Sequence, residues 1–216
     1  MGNPDVYIEI AHFESTRAYR DDPSIIQTPL EMIGKAKNLY GIWTGLQVED
    51  QQTLYMAVVW KSVEDHYAYM ADKELWNAAY QAYLSSAFFD ITACGGLLHI
   101  QFNTDPYVHL NKPVTEFMRM ELMAGRQSEA IEGILRQELA EREALLKEQG
   151  PSRGLFTWGC AWEFPEMFVI MTGWDSVEDS EAFREQYAAQ LEKFAASLKA
   201  VGDCTVARYQ FTKFES

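Results

Sequence analysis

The hexapeptide WKSVED at Trp60–Asp65 decides the fold, because it recurs 114 residues later as WDSVED at Trp174–Asp179. A further Trp precedes each copy. Trp43 lies 17 residues before Trp60, and Trp158 lies 16 residues before Trp174. Self-similarity at about half the chain length predicts two structurally equivalent units. Two linked copies of one sheet can bury their faces against each other and enclose a cavity.

The composition is that of a globular protein. The 216 residues suffice for one large domain or two of about 100 residues. A hydrophobic content of 48%, against 23% charged residues, excludes a disordered chain. The formal net charge of −14 argues against nucleic acid or an anionic membrane as partner.

The cysteines and the N-terminus favour a cytoplasmic location. Cys94, Cys160 and Cys204 are widely spaced and form no CxxC pair, so neither a disulfide framework nor a structural metal is indicated. That pattern fits a reducing compartment. The first residues lack the basic and apolar regions of a secretory signal. No apolar run approaches the roughly 18 residues that a membrane span needs.

The order of predicted elements is β-α-β-β-α-β in each half, the ferredoxin-like order. The predicted strands of the first half are Val6–Phe13, Ile42–Val48, Leu54–Trp60 and Leu97–Asn103. Those of the second half are Val114–Met123, Phe156–Glu163, Met167–Trp174 and Thr205–Lys213. We therefore predict one repeat over residues 1–104, a linker over 105–113 and a second repeat over 114–216.

A β-α-β-β-α-β unit whose third strand ends in Trp, followed by a Ser-x-Glu-Asp helix start, resembles the dimeric α/β-barrel superfamily. The resemblance is greatest to its antibiotic-biosynthesis-monooxygenase-like branch, here as a tandem fusion. It implies an α+β fold of two tandem ferredoxin-like repeats whose antiparallel sheets pack into one pseudo-dimeric α/β barrel. The fused chain would then be a pseudo-dimer by itself, and a further homodimer stays open. Members of the superfamily include quinol monooxygenases, haem-degrading enzymes, cyclases and stress proteins, so the fold alone fixes no activity.

Four polar residues are predicted to be catalytic. We expect the apolar faces of the strands to pack on the helices, which places the alternate polar positions on the barrel lining. Aligning the repeats sets Glu9 against Arg119 and His99 against Arg208. The resembled strand order 4-1-3-2 makes first and last strands neighbours, so Glu9 and His99 form a predicted acid/base pair. The arginines would hold an anion. The alternative is a structural salt-bridge network.

Trp43 and Trp158 are predicted to form the apolar wall of a pocket for a flat hydrophobic ligand, because both fall at apparently equivalent strand positions. The alternative is that they are ordinary core aromatics. The other predicted substrate-binding residues share the same strand faces and are Tyr7, Gln101, Phe117, Glu121 and Gln210.

No cofactor and no metal are predicted. Haem-degrading relatives carry a His on the second helix, whereas the matching stretches Lys73–Tyr80 and Glu185–Lys193 contain none. Olivetolic-acid-cyclase-like relatives carry His-Pro-x-His where this chain has Met70–Glu74. His66 is expected to be exposed at a helix start. No His/Asp/Glu spacing of the metal-ligand type is visible along the sequence.

Three functions remain open. The first is a cofactor-independent cyclase, isomerase, dehydratase or decarboxylase that acts by proton transfer on a hydrophobic polyketide- or terpenoid-like intermediate. The second is a cofactor-free monooxygenase of aromatic or quinol substrates, which oxygen consumption would distinguish from the first. The third is a non-catalytic ligand-binding or stress protein. The expected partner is a small hydrophobic molecule.

Overall fold

A computed structural model of the chain describes residues 5–84, 86–87, 97–126, 128–147 and 154–215. These residues form two compact units. The first unit contains the described residues of Asn3–Gln101 and of Tyr209–Ser216, and the second contains those of Phe102–Arg208. The C-terminal segment therefore groups with the first unit. Cys160 and Cys204 are free thiols, and Cys94 lies outside the described residues.

The first unit has an antiparallel sheet with the strand order β4-β1-β3-β2-β9. Its strands are β1 (Tyr7–Glu14), β2 (Leu39–Leu46), β3 (Thr53–Trp60), β4 (Leu98–Ile100) and β9 (Thr212–Lys213). Its helices are α1 (Arg17–Asp21), a 3-10 turn (Pro23–Ile26), α2 (Gln27–Ile33), α3 (Val63–Ala71) and α4 (Lys73–Leu84). The predicted order 4-1-3-2 is confirmed within this sheet.

The second unit repeats this arrangement with the strand order β6-β7-β5-β8, again 4-1-3-2 when read from β8. Its strands are β5 (Val114–Leu122), β6 (Phe156–Cys160), β7 (Met167–Trp174) and β8 (Gly202–Tyr209). Its helices are α5 (Tyr107–Leu110), α6 (Ser128–Leu146), α7 (Val177–Gln186) and α8 (Ala188–Lys199). The α+β fold of two ferredoxin-like repeats is confirmed.

The repeated hexapeptide joins the end of a strand to the start of a helix. Ser62 and Ser176 are the N-caps of α3 and α7, and each side chain accepts a hydrogen bond from the backbone N–H three residues later, at 3.2 Å and 3.1 Å. The acidic residues that follow lie in the first turn, where the helix dipole favours negative charge. Each serine cap is worth about 1 kcal/mol to its helix.

The strand registers define which positions of the two repeats are equivalent. β3 and β7 each end at the repeated Trp, and the first residue of β1 or β5 lies opposite it. Glu9 is the third residue of β1, and Glu116 is the third residue of β5, so these two glutamates are equivalent. The predicted alignment of Glu9 with Arg119 is wrong by three residues, because the apolar alternation of β5 fits several registers equally well.

The faces of β1 are the reverse of those predicted. Ala11 and Phe13 belong to the core that packs on the helices of the first unit, so Glu9, at the same parity, also faces the helices. Ile8 and Ile10 lie on the opposite face, where they are also buried. Hydrophobic alternation cannot orient a strand that is buried on both faces.

In the described part of the chain, no helix combines the length and the apolar character that a membrane crossing requires.

Candidate functional site

Two clusters of buried polar side chains occupy the helix-facing side of the sheets, one in each unit. In the first unit, Glu9 lies directly opposite His99 in the β1–β4 pairing, which confirms their predicted adjacency. His66 reaches the same place from the first turns of α3. The expectation that His66 is exposed is wrong, because only 1% of its surface is accessible.

These side chains form a hydrogen-bonded chain. The indole Nε1 of Trp60 donates to Glu9 Oε2 at 2.7 Å, and His66 Nε2 lies 3.5 Å from the same oxygen. The other nitrogen of His66, Nδ1, lies 2.8 Å from Nε2 of His99. If His66 carries its proton on Nε2, towards the carboxylate, then His99 donates to His66 Nδ1. A proton can therefore pass between the two imidazoles beside a buried carboxylate.

Tyr69 completes the environment of Glu9. Burial, and secondarily the negative charge of Glu9, raises the pKa of Tyr69 far above its ordinary value. Its hydroxyl is buried and finds no hydrogen-bond partner among the described residues. The phenol is therefore held neutral and can act as a hydrogen-bond donor inside this cluster.

In the second unit the equivalent carboxylate meets arginines instead of histidines. Glu116 pairs with Arg184 of α7. Arg208 of β8 donates to the hydroxyl of Ser180 at 2.9 Å. Burial raises the pKa of Glu116, while the positive charges of Arg184 and then Arg208 oppose that shift. A carboxyl with a raised pKa that still has a cationic partner is a candidate general base.

A cavity of about 720 Å³ adjoins Glu116 and Arg184. Its walls are mostly apolar and include Met118, Trp174, Phe183, Leu191, Phe194, Leu198 and Val206. The indole nitrogen of Trp174 is buried and has no hydrogen-bond partner among the described residues. A large apolar cavity with a few convergent polar groups is the usual form of a small-molecule site.

Arg142 of α6 fixes the shape of this cavity. Its Nε donates to Glu138 at 2.7 Å, and its Nη1 donates to the backbone oxygen of Gly154 at 2.8 Å. The guanidinium lies 5.0 Å from the ring of Phe156 and 5.5 Å from that of Phe183. Such contacts with aromatic faces are favourable and hold the rings in place.

The repeats thus carry different chemistry at equivalent positions. The hexapeptide alignment sets His66 against Ser180, and it sets Met70 against Arg184. The first unit surrounds its glutamate with imidazoles, and the second surrounds its glutamate with guanidinium groups. Sequence reasoning missed His66 and Glu116, because no pattern along the chain links residues that come from separate elements.

The four predicted catalytic residues do not share one face. Glu9, His99 and Arg208 face helices rather than the opposite side of their sheets, so their predicted position on the barrel lining is wrong. Arg119 is three residues from Glu116 on β5 and therefore lies on the other face of that sheet. Within the second unit, Arg119 and Arg208 point away from each other.

Trp43 and Trp158 are not equivalent. Trp158 lies in the helix-packed core of the second unit, with Arg136 at 5.8 Å from its ring. Trp43 follows Ile42, which packs towards the helices, so Trp43 lies on the opposite face, where Lys213 approaches its ring at 5.5 Å. The difference between spacings of 17 and 16 residues changes the face.

The remaining predicted substrate-binding residues are scattered over the two units. Gln101, Glu121 and Gln210 are exposed, Tyr7 is half-buried and Phe117 is buried. Gln210 lines a separate cavity of about 520 Å³ in the first unit. The described lining of the 720 Å³ cavity includes none of the predicted residues.

Comparison with solved structures supports the fold. An anthrone oxidase-like protein superposes with a TM-score of 0.68 at 14% identity, over 97% of this chain and 92% of that chain. A candidate monooxygenase from Lactobacillus acidophilus NCFM gives 0.60 at 10% identity, over 97% and 95%. A candidate monooxygenase from Fusobacterium nucleatum subsp. nucleatum ATCC 25586 gives 0.58 at 10% identity, over 98% of both chains. No family model and no curated protein matches the sequence. Identities this low establish a shared fold and leave the activity to be argued from the site.

Proposed function

We propose, on the premise that this chain has the dimeric α/β-barrel fold in a tandem two-repeat form, that it is an acid/base enzyme acting on a hydrophobic small molecule. The substrate would bind in the 720 Å³ cavity of the second unit. The observation that carries the proposal is Glu116, a buried carboxylate in the wall of that cavity whose pKa is raised by burial. Perturbed titratable groups in apolar cavities are concentrated at functional sites.

Glu116 would act as the general base. A base works best when its pKa lies near the working pH, and burial moves the pKa of Glu116 in that direction. Arg184 pairs with Glu116 and could stabilise negative charge that develops on the substrate once the proton has moved. Arg208, predicted to hold an anion, would contribute a more distant positive charge.

The cavity also suggests a class of substrate. Aromatic and aliphatic side chains form most of the wall, which favours a flat hydrophobic molecule. The indole N–H of Trp174, buried without a partner among the described residues, would be satisfied by a carbonyl or phenolic oxygen. Proton abstraction next to such an oxygen gives an enolate or phenolate. A polyketide- or terpenoid-like intermediate undergoing cyclisation, isomerisation, dehydration or decarboxylation fits these requirements.

Oxygenation is the second candidate reaction. The neighbours in fold space include an anthrone oxidase-like protein and two candidate monooxygenases. The same base would generate an electron-rich anion, which can transfer electrons directly to dioxygen. Acid/base residues cannot separate the two reactions, whereas measurement of oxygen consumption can.

The predicted acid/base pair Glu9 and His99 remains a proposal for a second proton-transfer site. Its support is the contact of 2.8 Å between the imidazoles of His99 and His66 beside the Glu9 carboxylate. Glu9→Gln tests it separately from Glu116→Gln, because the two glutamates lie in different units.

The experiment is a screen of anthrones, naphthols, quinols and linear polyketide mimics, with product analysis by mass spectrometry and with an oxygen electrode. We expect turnover of at least one flat hydrophobic compound, and we expect Glu116→Gln to lower kcat by about 100-fold or more. The matched control is Glu143→Gln, a change at an exposed glutamate next to Arg142. Turnover that survives Glu116→Gln would overturn the assignment. Saturable binding without turnover would support the ligand-binding function instead.

A further inference from the structure

We infer that Glu9, His66 and His99 form a binding site for one divalent transition-metal ion in the first unit. The three side chains come from β1, α3 and β4 and are 8%, 1% and 0% exposed. One donor atom from each lies within 4.8 Å of the donor atoms of the other two. Two imidazoles and a carboxylate suit zinc, iron, cobalt and copper.

The distances are close to those of a coordinated set. Ligand atoms bound to one ion at about 2.0–2.1 Å lie about 3.0–3.4 Å apart. In the structure, His66 Nδ1 and His99 Nε2 are separated by 2.8 Å, and His66 Nε2 and Glu9 Oε2 by 3.5 Å. Because one ion can take only one nitrogen of His66, binding requires side-chain shifts of about 1 Å. The ion would replace the hydrogen bond between the two imidazoles.

Trp60 holds the carboxylate in place for this role. Its indole N–H donates to Glu9 Oε2 at 2.7 Å, and its ring stacks on His66 with the centroids 5.0 Å apart. An ionised carboxylate has about four lone-pair sites, so this donation leaves capacity for a metal. Outer contacts of this kind orient ligands and raise metal affinity.

The internal repeat supports a cation at this position. In the second unit, Glu116 has the fixed positive charge of Arg184 beside it. The residue equivalent to Arg184 in the first unit is Met70, and the residue equivalent to Ser180 is His66. A guanidinium and a hydroxyl have thus been exchanged for an apolar side chain and a metal-ligating imidazole. A carboxylate removed from water requires a compensating charge, which a bound ion supplies.

Three protein ligands would leave a coordination position open, which is the arrangement of catalytic rather than structural sites. The inference does not depend on the proposed function of the second unit, because none of its residues lines the 720 Å³ cavity described there.

The test uses the full-length chain, stripped with a chelator and titrated with Co²⁺ in the visible range and with Zn²⁺ by calorimetry. We expect one equivalent of each ion, with Co²⁺ d–d bands and no thiolate charge-transfer band. His66→Asn and His99→Asn should each weaken Zn²⁺ binding at least about ten-fold. The matched control is His109→Asn, which removes another buried histidine, in the second unit, and should leave the affinity unchanged.

The inference is overturned if the wild-type chain shows no saturable binding, or if both histidine variants bind Zn²⁺ as tightly as wild type. A thiolate charge-transfer band would overturn it too, because it would place the ion at a cysteine. If a histidine variant does not fold, Glu9→Gln replaces it, with at least a ten-fold loss expected. Zn²⁺ should also raise the Tm of wild type and of His109→Asn.

Discussion

The two repeated tryptophans provide an internal comparison of one hydrogen bond. Trp60 and Trp174 end equivalent strands and are 1% and 4% exposed. Trp60 donates to the buried Glu9 carboxylate at 2.7 Å, whereas the N–H of Trp174 has no partner among the described residues. Replacement of either by Phe removes the same ring atoms, so the losses of packing are similar and largely cancel in the comparison.

The expected difference follows from the hydrogen bond. A bond from a neutral donor to a charged acceptor contributes about 1.5–3 kcal/mol, and a buried unpaired N–H costs about 1–3 kcal/mol. Trp60→Phe loses the first contribution, while Trp174→Phe removes the second penalty. We therefore expect Trp60→Phe to lower the free energy of unfolding by at least about 1.5 kcal/mol more than Trp174→Phe does.

The assay is equilibrium urea denaturation followed by far-UV circular dichroism, since removal of a Trp changes the fluorescence. If the two units unfold in separate transitions, each variant is compared with wild type in the transition of its own unit. A double-mutant cycle of Trp60→Phe with Glu9→Gln should give a coupling energy of about 1 kcal/mol or more.

Equal losses for the two variants, or a larger loss for Trp174→Phe, would refute the reasoning. Either result would mean that the indole of Trp60 gains nothing from Glu9 beyond its packing. Absence of coupling in the cycle would locate the effect of Trp60 elsewhere in the core.

Three further predictions concern stability. Glu138→Ala should lower the free energy of unfolding by about 3–5 kcal/mol, because it leaves the Arg142 guanidinium, 2.7 Å away, buried without its partner; urea denaturation measures this. Burial lowers the pKa of His109 from 6.5 to about 4, so the neutral form stabilises the fold above pH 6.5 and about 3 kcal/mol is lost as the pH falls to 4. Denaturation at both pH values should show a smaller drop in His109→Gln than in wild type. Gly45→Ala would set a Cβ atom 2.0 Å from a backbone oxygen and should destabilise by about 1–3 kcal/mol, whereas Gly133→Ala meets open space in a helix and should stabilise by about 0.5–1 kcal/mol; thermal melts of both variants check the signs.

The sequence could not reveal which residues of the two repeats are equivalent within each strand. Glu9 and Arg119 seem matched when only polar and apolar alternation is compared, yet the register pairs Glu9 with Glu116. Alternation has a period of two, so a strand can shift by several residues without losing its pattern. Hydrogen bonding to the neighbouring strand, which ends at the repeated Trp, sets the register.

The adjacency of Glu9 and His99 was predictable, because it follows from strand order alone. His66 and Glu116 were not, because each acquires its role from helices that pack over the sheet. The side chain of His66 meets His99 only after α3 folds back on β1 and β4. Arg184 similarly reaches Glu116 from α7.

By itself, then, the sequence determined the repeat, the β-α-β-β-α-β order and the strand order 4-1-3-2, because these depend on local patterns that the hexapeptide marks twice. Only the tertiary structure decided which face of each strand meets the helices. β1 is buried on both sides, with Ile8 on one and Phe13 on the other, so no difference in polarity along the chain records its direction. That orientation is set by helix packing, and it places the glutamates in the helix-facing clusters rather than on the opposite face of the sheets.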